Sequence, residues 1–160
     1  LVHARAGLDQ ELVTRVADWI EDLPGGRLHL VRGNHDRGAG RLPGVWSLVP
    51  HDEPHVLSIG AGRLHLVHDP AGTPEPSVGG HLHPTVRVGQ GRRRGPKVPA
   101  FLGRSPGRSQ GRSGADGTLI SLVLPALGAL VDGAVVRAAP GLQAWACGEG
   151  QVGALPPGGW

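Results

Sequence analysis

A chain of 160 residues is enough for one modest domain and too short for two ordinary ones. Its formal charge of +3 suits a phosphate-rich partner, but the excess is too small to demand one. A single cysteine, Cys147, excludes an internal disulfide and a cysteine-based metal site, and no apolar run approaches the roughly 18 residues of a membrane span.

Glycine (28) and proline (15) exceed a quarter of the chain, about the level at which unstructured segments are expected. They cluster, so a folded part with loose segments attached is expected. Lys97 is the one lysine, and the positive charge is otherwise arginine, a bias that fits base composition as well as function. The chain has no methionine, which points to a piece of a longer protein. No charged-then-apolar leader opens it, so a cytoplasmic setting is the default.

In chain order, residues 7–24 predict an amphipathic helix. Leu8, Leu12, Val16, Ile20 and Leu23 recur every three or four positions, and Val13 and Trp19 widen the stripe. Asp9 and Glu11 suit its positive end, and Pro24-Gly25-Gly26 stops it. Arg27–Arg32 then predicts a buried strand, the second half of a βαβ unit whose first strand would precede Leu1. His55–Gly60 and Gly62–His68 predict a hairpin about Ala61, and Thr85–Val88 a short strand. Residues 89–117 read as a long basic Gly/Arg/Ser-rich insert, broken by the apolar patch Val98–Leu102. Leu119–Leu124 and Ala134–Arg137 predict two more strands. Residues 138–160 predict a disordered Gly/Pro-rich tail, with Trp145 and Trp160 as the side chains able to dock.

Three short motifs carry chemistry. Gly33-Asn34-His35-Asp36 follows the strand Arg27–Arg32, where open α/β sheets collect ligands. The Asn34 amide oxygen is a hard donor for a divalent metal, and His35 beside Asp36 offers an imidazole with a carboxylate to orient it. The same four residues also make an ordinary polar turn. His68 ends a strand before Asp69-Pro70, and Gly80-His81-Leu82-His83 sets two histidines at i and i+2, on one side if the segment is extended. His29 and His65 fall within strands and are expected on the less buried face. His51 and His55 read as loop residues around a Pro-rich turn, and His3 could approach the site.

The order of these motifs, strand–GNHD, strand–His, then GHLH, resembles the calcineurin-like metallophosphoesterases. Leu1–Arg5, GHLHPTVRV, VPAFLG and LVLPALGALVDG further resemble a bacterial subgroup, the ligase-associated DNA damage response endonucleases (PdeM-type). The resemblance spans residues 1–137, outside much of the Arg-rich insert. It implies an α/β fold, a β-sandwich flanked by helices and missing its first strands, with an exposed edge. It implies hydrolysis of phosphate esters at a two-metal centre of Mn, Fe or Zn, with DNA phosphodiesters as substrate in repair. Asn34, His68 and His81 would hold the second metal and His83 the first, with His35 as acid and Asp36 holding its ring. An ATP-dependent DNA ligase and a helicase would be partners.

The chain departs from that pattern. The family's Asp-x-His triplet occurs nowhere in it, and the Gly-Asp pair expected just before Leu1 is not in the sequence. At most one weakly bound ion, facing neutral ligands, and little or no turnover are therefore expected of the chain by itself. Two further functions compete. Arg92-Arg93-Arg94, Lys97, Arg104, Arg108 and Arg112 could bind nucleic acid without chemistry, although Phe101 alone gives no base-stacking array. A degenerate fragment with no activity is the other.

Overall fold

The computed structural model describes residues 9–36, 42–73, 76–89, 95–105, 119–127 and 131–160. It divides into two compact units, Leu1–His55 and Val56–Trp160, where the sequence suggested one domain ending near residue 137. The described part of the first unit holds one helix, α1 (Gln10–Glu21), and the strands β1 (Leu28–Val31) and β2 (Leu48–His51). Asp9 caps α1 by accepting the Glu11 N–H at 3.0 Å, which satisfies one orphan donor of the first turn. Gly25 and Gly26, both with positive φ, turn the chain out of the helix into β1. The buried stripe is narrower than its sequence pattern: Val13 and Ile20 are buried, whereas Leu12 and Trp19 are about half exposed. Trp46 is buried and its indole N–H donates to the Val13 carbonyl at 2.9 Å, joining the β2 approach to α1.

β1 and β2 pair in parallel, Leu28 beside Leu48 through Val31 beside His51. Side chains opposite one another share a face, so His29, Val31, Val49 and His51 line one side and Leu30 turns to the other, buried. Pro50, which has no N–H to give, sits in this short two-stranded ladder without breaking it.

The second unit carries the remaining described strands, except that His55, the first residue of β3, belongs to the first unit: β3 (His55–Ile59), β4 (Gly62–Leu66), β5 (Ser77–Gly79), β6 (Thr85–Arg87), β7 (Lys97–Arg104), β8 (Ser121–Val123), β9 (Leu142–Gly148) and β10 (Gln151–Ala154). They form a mixed sheet in the order β10-β9-β7-β8-β5-β4-β3, with β6 on β7. The architecture is a sheet-rich α/β fold in which α1 is the one α-helix among the described residues. No described helix is long and apolar enough to cross a membrane.

Two expectations are corrected here. The patch Val98–Leu102 is not an interruption in a loop but the middle of β7, which pairs with β6, β8 and β9. Residues 138–160 are not a disordered tail. They supply β9 and β10, and Trp160 is buried in the core with Val86, Ala100, Leu102 and Ala144. Glu149 and Gly150 both take positive φ, the two-residue turn that a tight hairpin needs. The segment Ala134–Arg137 is held by Thr85, which donates to the Ala134 carbonyl and accepts from the Val136 N–H, both at 2.9 Å. β3 ends the strand order, and Val56, Leu57 and Ile59 along it are exposed.

Candidate functional site

β4, β5 and β8 run parallel: Leu66 lies beside Val78, and Ser77–Gly79 beside Ser121–Val123. Their carboxyl ends are therefore neighbours, and a parallel sheet exposes ligand-binding loops at that edge. His68 lies just past β4, and His81 just past β5. The Gly80 and His81 N–H groups both donate to the His68 carbonyl, at 3.2 and 3.0 Å. This backbone clamp brings the His68 and His81 rings edge to face with centroids 4.3 Å apart. Gly79 makes the approach possible. A Cβ there would lie 2.6 Å from the Val67 carbonyl oxygen, 2.7 Å from Pro70 Cδ and 2.9 Å from the His68 carbonyl oxygen.

His83 is half-buried and takes φ 47°, so the segment is not extended. The period-two argument that aimed His81 and His83 to one side does not apply to this backbone. The carbonyl of His83 packs against Gly133, where a side chain would collide with it.

The Gly33–Asp36 motif belongs to the first unit and forms a turn directly after β1. Asp36 Oδ2 accepts the Gly33 N–H at 2.9 Å, so the carboxylate closes the turn. Asn34 and His35 are exposed and Asp36 is half-buried. Of the other residues with expected roles, His3, Arg92, Arg93, Arg94, Arg108 and Arg112 lie outside the described residues. Lys97 pairs with Asp132 at 2.9 Å.

Sequence reasoning passed over a third group. His29, His51 and His55 place their ligand atoms within 4.8 Å of one another, and this group could hold a metal ion. The His29 Nδ1 and His51 Nε2 atoms are 2.8 Å apart, and the His51 and His55 rings have centroids 3.7 Å apart. The signal lay in register: once Leu48–His51 is a strand parallel to β1, His29 and His51 must share a face. Nothing in the local pattern of Val49-Pro50-His51 announces that pairing.

Partial desolvation, then the neighbouring imidazoles His55 and His29, push the pKa of His51 below its ordinary value of 6.5. The unfolded chain then binds more protons than the folded one just below that pH. The neutral cluster keeps its full stability above about pH 6.5, and stability falls as the pH drops from there toward the depressed pKa. Urea midpoints measured from pH 7.5 down to pH 5 should decline more steeply for the native chain than for His51→Gln. Parallel slopes would show that the imidazoles do not repel in solution.

No protein-family model and no curated protein sequence matches the chain. Among solved structures it is similar to a nuclease of Pseudomonas putida, MPE, with a TM-score of 0.67 and 28% sequence identity. The likeness covers 97% of this chain and 66% of that one, so the chain spans just under two thirds of the nuclease's length. The fold described above is therefore similar to that of a nuclease.

Proposed function

We propose that the chain is the histidine-bearing part of a metal-dependent phosphodiesterase that acts on nucleic acid, DNA being the substrate. The observation that carries this reading is the His68–His81 pair, two imidazoles held at the carboxyl ends of adjacent parallel strands. The likeness to a nuclease supports phosphodiesters as the substrate class. The donor set suits a divalent metal. Imidazole nitrogens such as those of His68 and His81 are donors that Mn, Fe or Zn accept. Two such ions form the intact centre, and a bound ion would neutralise the phosphoryl oxygens.

The remaining work falls to the chain's own side chains. In the first unit, exposed His35 offers an imidazole able to hand over a proton, and the neighbouring Asp36 is fixed in its turn by the Gly33 N–H. His81 is exposed, so a phosphodiester can reach a cation beside it from solvent.

Phosphorus relaxation tests the reading without requiring turnover. Mn2+ should strongly enhance 31P relaxation of a thymidine dinucleotide in the presence of the chain, and His68→Ala/His81→Ala should return it to the value for free Mn2+. An enhancement that survives the double substitution, or none at all, sinks the assignment.

A further inference from the structure

Small folding units seldom stand on an apolar core alone, and many add a bound metal. The first unit ends at His55, and the apolar side chains buried in its described part are Val13, Ile20, Leu30 and Trp46. Beyond that small core, it gathers three imidazoles from separate points of the chain: His29 in β1, His51 at the end of β2, and His55 at the head of β3.

We propose that His29, His51 and His55 form a site for a borderline divalent transition cation, Zn2+ being the type, which staples β1, β2 and the head of β3 together. The site is distinct in residues and in role from the His68–His81 pair.

Geometry comes first. The three donor atoms lie within 4.8 Å of one another, and the two nearest are 2.8 Å apart. A tetrahedral ion with Zn–N bonds of about 2.0–2.1 Å sets its ligand nitrogens roughly 3.3 Å apart, so modest ring rotations suffice to close the site. A hydrogen bond between neutral rings can occupy His29 and His51. It leaves the third ring tilted over His51, a placement that a shared cation explains and that bond does not.

Chemistry then selects the ion. The flanking carboxylate of Asp52 lies 3.6 Å from the Arg32 guanidinium, so the donor set is three neutral nitrogens. Such a set favours Zn2+, Ni2+ or Cu2+ over Mg2+ and Ca2+, which prefer oxygen. His29 is exposed while His51 and His55 are half-buried, so one coordination position faces water, as in three-histidine sites that keep a position open. Because the ligands converge only in the folded unit, binding stabilises that fold.

Thermal unfolding of the untagged, chelator-stripped chain tests this, with Zn2+ and Mg2+ as probes and Co2+ absorbance as a second readout. Zn2+ should raise the Tm by several degrees in the native chain and equally in His68→Ala/His81→Ala, whereas Mg2+ should not. That background separates the staple from the phosphodiesterase reading. Each of His29→Gln, His51→Gln and His55→Gln should weaken Zn2+ binding by more than the roughly 10–100-fold that loss of even an outer partner costs. The triple variant should lose both the Tm rise and the Co2+ spectrum. A Zn2+ response retained by the triple variant, lost in His68→Ala/His81→Ala, or matched by Mg2+ overturns the proposal. If the triple variant does not fold, His29→Gln decides, because that side chain is exposed and its loss leaves the core intact.

Discussion

Replacing Gly79 by alanine should cost about 3 kcal/mol of stability and separate His68 from His81, whereas the same change at Gly80 should be nearly silent. Gly79 is buried at the end of β5, between β4 and β8. Its missing side chain would fall within 3 Å of three atoms, and two of them are the carbonyl oxygens of Val67 and His68. Backbone oxygens cannot rotate aside as a side-chain terminus can. The Val67 N–H is bonded to the Val78 carbonyl at 3.0 Å, so the strand end cannot retreat without breaking its ladder. Relief would come by pushing Val67 and His68 away, which lengthens the bonds from Gly80 and His81 to the His68 carbonyl and opens the ring contact. A Cβ on Gly80 meets nothing within 4 Å. Urea unfolding should therefore separate two adjacent glycines, and metal titration should follow the same order. Equal midpoints for the two variants would mean that β4 and β5 are not held this tightly.

Strand ends were more legible in the sequence than strand partners. The helix itself could be read from its apolar spacing, but its start at Gln10, capped by Asp9 and three residues later than residue 7, could not. Asn34 and His68 could be placed after strands because the flanking runs are short, apolar and bounded by turn residues. β7 could not be read that way. Pro99 and the glycines around it look like a loop, and the strand exists because β6, β8 and β9 supply partners from distant segments. β9 and β10 went unseen for the same reason: their Ala- and Gly-rich sequence has little intrinsic preference until β7 covers one edge. The His29–His51–His55 cluster depends on the parallel register of β1 and β2, a non-local fact. Local patterns thus carried the helix and the strand ends, while whatever needed a partner strand stayed hidden.

The chain alone should hydrolyse bis(p-nitrophenyl) phosphate in Mn2+ at a rate indistinguishable from free Mn2+, although it carries several metal-ligand side chains. The reason is charge. Two divalent ions in one site repel strongly unless anionic ligands lie between them, and the proposed hydrolysis would use both ions to take up charge from the phosphoryl oxygens. The proposed ligands, His68 and His81, bring no negative charge, and no Asp-x-His triplet adds a carboxylate with metal-ligand spacing. The carboxylates beside the motif histidines serve their own turns. Asp36 Oδ2 accepts the Gly33 N–H, and Asp69 Oδ1 accepts the Ala71 N–H, both at 2.9 Å. On the proposed function, the same chain supplemented with a segment that brings metal-bridging carboxylates should gain turnover by orders of magnitude, since each 1.4 kcal/mol of transition-state stabilisation is worth about tenfold. That gained activity should vanish in His68→Ala. Robust Mn2+-dependent turnover by the unsupplemented chain, abolished by His68→Ala, would show that neutral ligands suffice and that the charge argument is wrong.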